Sequence, residues 1–198
     1  KKEEENYKEA AKILKESGAD LLVLEMLLDV DHSKILLNAA LETGLPVWVG
    51  LSCCDSKFDN SVIGRNFRAE KEKSLIYDEN KYKDQPKYLP EDKIILLEDI
   101  IKSLTSLGGD VYGIMHTWFQ DSIGGLKILK NNWKGPIMFY PEIHKFDTNT
   151  HKAIITMTEE EFSNSILELI DDQIQIVGGC CGVNDKHCLL YTSDAADD

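Results

Sequence analysis

A helical segment, a glycine and a short apolar run recur as a unit five times along the 198-residue chain. The amphipathic segment 3–17 ends at Gly18 and precedes the apolar run 21–26. The later runs are residues 46–52, 111–116, 136–141 and 174–178. Runs that are apolar on both faces suit strands of a parallel sheet covered on each side. Their alternation with helices predicts βα units and an α/β fold. Three of the helix starts are predicted at Asp31, at residues 90–92 and at the capping-box pattern of residues 158–161.

Two architectures have this alternation, an open doubly wound sheet and a (β/α)8 barrel. None of the runs is followed by a glycine-rich dinucleotide fingerprint, which weakens the first. Five units are too few for a whole barrel of about 250 residues. We therefore predict a partial (β/α)8 TIM barrel with parallel strands, comprising about the last five βα units. Residues 1–187 form this domain, whose first strands are missing, and residues 188–198 are interpreted as a non-native tail.

The charge and cysteine content exclude several classes of protein. A formal net charge of −13 disfavours nucleic acid or an anionic membrane as a partner. No apolar run approaches the about 18–20 residues that span a bilayer. The five cysteines do not resemble a secreted disulfide framework. We expect reduced thiols and a cytoplasmic location.

The vicinal cysteines Cys180 and Cys181 stand between Gly179 and Gly182, directly after the last apolar run. Neighbouring side chains on a regular strand point to opposite faces, so both thiols can serve one site only if the backbone leaves strand geometry. The flanking glycines permit this because glycine adopts positive φ at little cost. The pattern predicts a strand that ends in an irregular turn carrying two thiols.

Glu25 and His116 lie at the ends of two other predicted strands. In a parallel barrel the C-terminal ends of all strands share one face, so these residues should converge with the cysteines. Two thiolates and one imidazole are a ligand set that suits Zn²⁺, and three protein ligands leave a fourth position open. A substrate thiol in that position would become a thiolate able to attack an activated methyl group.

The segment Gly178-Gly179-Cys180-Cys181-Gly182, followed by His187, resembles the C-terminal zinc motif of the homocysteine S-methyltransferase family. Residues 18–25 resemble that family's strand ending in a glutamate, and residues 46–50 and 139–141 resemble further strands. The resemblance implies a homocysteine-binding TIM barrel, zinc, homocysteine as methyl acceptor, a small-molecule methyl donor and methionine as product. The methyl donor and the oligomeric state stay open.

Residue by residue, the resemblance implies that Cys180 and Cys181 are zinc ligands and that Glu25 binds the ammonium group of the substrate. His116 stands where the family has its third cysteine ligand. It either replaces that cysteine, since imidazole is also a zinc ligand, or is a non-ligand that leaves the site incomplete. Glu142 follows Tyr140-Pro141 where the family usually has an asparagine, and the resemblance assigns it no role.

Two other interpretations of the function remain open at this stage. The altered third ligand also fits a non-catalytic protein that binds zinc or homocysteine, and the vicinal cysteines also fit a dithiol redox protein. The second pair, Cys53-Cys54, lacks flanking glycines and is interpreted as buried or loop thiols. Residues 53–89 form a long polar insertion, interpreted as a solvated or mobile loop in preference to an active-site lid.

Overall fold

The computed structural model describes residues 2–66, 69–71, 75–76 and 94–194 of the chain. Its helices are α1 (Lys2–Glu16), α2 (Val30–Leu41), α3 (Leu97–Thr105), α4 (Phe119–Asn132), α5 (Glu159–Leu167) and α6 (Asp185–Asp194). Its strands are β1 (Leu22–Leu27), β2 (Val47–Leu51), β3 (Cys53–Asp55), β4 (Val62–Gly64), β5 (Leu75–Ile76), β6 (Val111–Trp118), β7 (Ile137–Glu142), β8 (His144–Asp147), β9 (Lys152–Ile155) and β10 (Ile174–Val177).

Five strands form one parallel sheet in the order β1-β2-β6-β7-β10. These are the five strands predicted from the apolar runs, and each lies beside its predecessor in the chain. A doubly wound sheet would reverse its strand order at a switch point, and this sheet does not. The prediction of an α/β fold with barrel-like parallel strands is confirmed. The barrel is not closed, because β1 and β10 form the two edges of the sheet among the described residues.

The main core lies between the sheet and its helices. Helix α3 shows why the core forms there. Its apolar residues recur three and one positions apart along one face and are all buried: Leu97, Ile100, Ile101 and Leu104. They pack with strand residues such as Ile114 and Phe139 in one continuous apolar cluster. The opposite face of the sheet carries a smaller cluster of Val111, Met115 and Met138. The sheet therefore buries most of its apolar side chains on the face that packs against the helices.

The interpretation of residues 53–89 as a solvated loop is wrong for the β3–β4 hairpin, apart from its exposed turn at residues 57–60. β3 and β4 pair as an antiparallel hairpin, and Cys53, Cys54, Ile63 and Arg65 are buried. Gly64 packs so closely that a Cβ there would lie 2.0 Å from the carbonyl oxygen of Leu28. The hairpin thus belongs to the packed fold. Residues 67–68, 72–74 and 77–89 lie outside the described residues.

Two helix starts depend on capping side chains. Thr158 and Glu161 form the capping box that the sequence predicts for α5. Helix α2 instead begins two residues earlier than expected, because Asp29 and not Asp31 accepts a hydrogen bond from the His32 amide. The proposed start of α3 at residues 90–92 lies outside the described residues, and α3 itself begins at Leu97.

The last helix, α6, extends into the segment interpreted as a non-native tail. Tyr191 in this helix is buried in the main core. Packing of this kind does not test the origin of the segment, so the interpretation of residues 188–198 stays a prediction. Among the described residues, no helix is both long enough and apolar enough to cross a membrane.

Ile101→Ala should lower the free energy of unfolding by about 2–5 kcal/mol, because it leaves a cavity in the core against α3. The matched control is Ile123→Ala on α4, since Ile123 is 38% exposed whereas Ile101 is 0% exposed. Urea unfolding followed by circular dichroism measures both changes. Equal losses in the two variants would contradict the core described above.

Candidate metal centre

The C-terminal ends of the parallel strands carry the polar residues of one site. Glu25 lies near the end of β1, His116 near the end of β6, and Glu142 is the last residue of β7. Cys180 and Cys181 follow the end of β10. Because these strands run in one direction, their ends meet at one edge of the sheet.

The two cysteines lie in a tight turn beside β7. β10 ends at Val177, and the Val183 amide donates to the Cys180 carbonyl oxygen at 3.1 Å, with Gly182 at φ +89°. The Cys180 amide donates to the Pro141 carbonyl oxygen at 3.0 Å, and the Ile143 amide donates to the Cys181 carbonyl oxygen at 3.0 Å. The expected departure from strand geometry is confirmed. The backbone of β7 fixes where the turn lies.

The structure brings His116, Cys180 and Cys181 together. His116 Nδ1 lies 3.7 Å from Cys180 Sγ and 3.8 Å from Cys181 Sγ, and the two sulfurs are 3.9 Å apart. A tetrahedral ion with Zn–S bonds of about 2.3 Å and Zn–N bonds of about 2.0 Å would separate two sulfurs by about 3.8 Å and a sulfur from a nitrogen by about 3.5 Å. The three ligand atoms therefore fit one tetrahedral ion without rearrangement.

The backbone of His116 takes a conformation that needs support. Its φ is +45°, in the left-handed region that residues other than glycine seldom occupy. Ser52 Oγ donates a hydrogen bond to the His116 carbonyl oxygen at 2.6 Å, and Arg65 Nη1 donates to the same oxygen. These two donors hold the peptide after His116 in place. With the backbone in this conformation, the imidazole of His116 is directed at the cysteines.

Arg65 and Glu142 form a buried ion pair beside this histidine. Arg65 Nη2 lies 2.6 Å from Glu142 Oε1, and the two side chains are 4% and 1% exposed. Glu70, also buried, approaches Arg65 Nε at 3.9 Å. Burial alone would lower the pKa of Arg65, but the hydrogen bond and the charge of Glu142 outweigh it and raise that pKa. Arg65 therefore stays charged and links the β3–β4 hairpin to the site.

Sequence reasoning missed Arg65 and Glu70 because they lie in a polar segment without helical or strand periodicity. The only available signal was Glu142, an unexplained acidic residue at a strand end. A buried carboxylate requires a partner of opposite charge, so an expectation that Glu142 is buried would have pointed to a cation elsewhere in the chain.

Burial and charge set the protonation of the ligands. Burial lowers the pKa of His116, against the opposing charge of Glu142, so the imidazole is neutral near pH 7. Burial, followed by the neighbouring Cys181, raises the pKa of Cys180 to about 11. Both effects describe the site without an ion. A bound cation would reverse the second effect by stabilising the thiolate.

Glu25 lies on the same rim but outside the ligand cluster. Its side chain is exposed, and its carboxylate is near enough for its charge to act on the pKa of His116. Cys53 and Cys54 are not in this cluster. They are buried, Cys53 Sγ lies 3.9 Å from Thr117 Oγ1, and burial raises the pKa of Cys54 to about 12.

Known proteins resemble this chain in sequence and in fold. The family model for homocysteine S-methyltransferase matches residues 1–74 and 96–189. Crystal structures of the homocysteine methyltransferase MmuM from Escherichia coli, in its metallated and apo forms, each align with a TM-score of 0.60 at 14% identity. Each alignment covers 96% of this chain, but 52% of the metallated and 57% of the apo chain. This chain thus spans about half the length of those structures, and at this identity the likeness shows the fold. No curated protein matches the sequence.

Arg65→Met should lower the free energy of unfolding by about 3–5 kcal/mol, because it leaves the Glu142 carboxylate buried without its cation. The double variant Arg65→Met/Glu142→Met removes both charges of the pair and should be more stable than the single variant. Urea unfolding of the two variants and the parent chain measures the difference. A double variant as unstable as Arg65→Met would show that the pair is not the source of the loss.

Proposed function

We propose, since the chain belongs to the homocysteine S-methyltransferase family, that His116, Cys180 and Cys181 bind Zn²⁺ and serve methyl transfer to homocysteine. The product would be methionine. The observation that carries the proposal is the spacing of the three ligand atoms, 3.7, 3.8 and 3.9 Å, which suits one tetrahedral ion. Residues 1–187 would form the C-terminal part of a homocysteine-binding TIM barrel in the whole protein.

Zinc bound at this cluster would supply a positive charge that converts a coordinated thiol into its nucleophilic thiolate. Cys180 and Cys181 would contribute two negative charges, and His116 a neutral nitrogen. Three protein ligands leave one tetrahedral position for the incoming thiol of homocysteine. His116 keeps 19% of its side chain exposed, so the cluster can be reached from solvent.

Glu25 would hold the ammonium group of homocysteine. Its carboxylate is exposed on the rim that also carries His116. The negative charge of this carboxylate would attract the ammonium group and orient homocysteine with its sulfur toward the cysteines. Orientation of this kind brings the thiol and the methyl group of the donor within attack distance. The donor would be a small molecule of the sulfonium, betaine-like or methylfolate type, and the protein would work in the cytoplasm.

Methionine formation tests this function. The whole protein to which this chain belongs, loaded with zinc, is incubated with homocysteine and each of the three donor types, and methionine is measured by mass spectrometry. We expect product with one donor, and a loss of more than about 100-fold in Cys180→Ala and His116→Ala, since even residues behind metal ligands contribute about 10–100-fold. Cys188→Ala, which removes a thiol outside the cluster, should keep its rate.

Two results would contradict the proposal. If the parent and both ligand variants bound zinc equally well, His116 and Cys180 would not be zinc ligands. Tight zinc binding by the cluster without methionine from any donor would favour a non-catalytic binding protein.

Zinc affinity should rise with pH, because each cysteine must lose its proton to bind as a thiolate. His116 contributes no proton near pH 7, since its pKa lies below the ordinary value. We therefore expect about two protons released per ion, or about a 100-fold gain in affinity per pH unit. Calorimetry in buffers of different ionisation enthalpy measures the number. His116→Cys should release about three protons, and an unchanged number in that variant would mean that residue 116 is not a ligand.

A further inference from the structure

Two buried polar atoms beside the candidate metal centre lack hydrogen bonds within the described part of the chain. They are Glu142 Oε2 and His144 Nδ1. Glu142 is 1% exposed, and its Oε2 lies 3.3 Å from His116 Nδ1 without the alignment of a hydrogen bond. Buried polar groups are normally paired, because an unpaired one loses its hydrogen bonds to water without replacement. Two such atoms on residues 142 and 144, beside the same cysteine turn, indicate a ligand that satisfies both.

The backbone directs both side chains to one side. Glu142 ends β7 and His144 begins β8, with the fully buried Ile143 between them. In extended chain, residues two apart point to the same face, so Ile143 enters the core while its neighbours face the cysteine turn. The hydrogen bond from the Ile143 amide to the Cys181 carbonyl oxygen holds the two segments together.

Cys181 completes a second set of ligand atoms. One atom each from Glu142, His144 and Cys181 lie within 4.8 Å of one another. Carboxylate, imidazole and thiolate are all ligands of divalent zinc or cobalt. The set carries two negative charges when the thiol is ionised, the same number as the set formed by His116, Cys180 and Cys181.

Arg65 prepares the carboxylate for this use. Its guanidinium holds Glu142 Oε1 at 2.6 Å and leaves Oε2 facing the cluster. A ligating carboxylate is usually held in this way through hydrogen bonds to its other atoms. The close approach of His144 Cβ to Gly182, where an added Cβ would lie at 3.1 Å, sets the imidazole against the turn.

We propose that Glu142, His144 and Cys181 form a second divalent-metal position, which shares the thiolate of Cys181 with the first. This position does not depend on methyl transfer, and it gives an ion a place on the β8 side of the cysteine turn. Its ligand set is harder than the first, with one oxygen in place of one sulfur.

The test removes the first ligand set and keeps the second. In His116→Ala/Cys180→Ala, cobalt is titrated and the bound metal is counted by elemental analysis after dialysis, with the charge-transfer absorption reporting the number of thiolates. We expect about one ion per chain and about two thirds of the charge-transfer intensity per cobalt of the fully loaded parent chain, because the remaining ion has one cobalt–thiolate bond, whereas the two ions of the parent, sharing Cys181, have three.

The control lies in two further histidine variants. Adding His144→Asn should weaken cobalt binding by more than about 100-fold, since it removes a ligand. Adding His151→Asn should leave binding unchanged, because His151 is exposed, and asparagine tolerates its left-handed backbone of φ +54°. Circular dichroism checks the fold of each variant. The pair His116→Gln/Cys180→Ser, closer in volume, serves the same test if the alanine pair does not fold.

The absence of bound cobalt in a folded double variant would overturn the second position. Binding that survives His144→Asn would overturn it as well. Neither result affects the first ligand set, whose test uses the parent chain and the rate of methionine formation.

Discussion

Parallel pairing of β6, β7 and β10 is the constraint on which the site depends. Cys180 and His116 are separated by 64 positions in the chain, yet their ligand atoms lie 3.7 Å apart. No local structure can produce that contact. It follows from strands that run in one direction, whose C-terminal ends meet at one edge, and from the hydrogen bonds that join residues 180 and 181 to the end of β7.

The β3–β4 hairpin acts as part of the site because it supplies a buried cation. Arg65 contacts the carboxylate of Glu142 and the carbonyl oxygen of His116, so one side chain connects the hairpin with β6 and β7. Burying such a pair carries a desolvation penalty, and removing one partner destabilises the fold because the other charge stays buried. The left-handed backbone of His116 persists because Arg65 and Ser52 both satisfy its carbonyl oxygen.

Charge balance explains how a histidine can stand among these groups. In the proposed zinc site, two thiolates would neutralise a divalent ion, and a neutral imidazole would complete the set without adding charge. Glu142 brings a further negative charge within 3.3 Å of the imidazole, and Arg65 compensates it from the other side. The same arrangement leaves one oxygen of Glu142 without a hydrogen bond beside the cysteine turn, which is the observation behind the proposed second metal position.

Local patterns in the sequence determined the five parallel strands, the glycine-supported turn of Cys180 and Cys181, and the capping box at Thr158, because each depends on residues a few positions apart. Only the tertiary structure decided that Arg65 is buried against Glu142, 77 positions away, and that the β3–β4 hairpin is packed into the fold, with an exposed turn at residues 57–60. It also decided that Asp29 caps α2 in place of Asp31. The physical reason is that periodicity and glycine placement act along the chain, whereas the burial of a charge is settled by whichever distant segment brings the opposite charge to it.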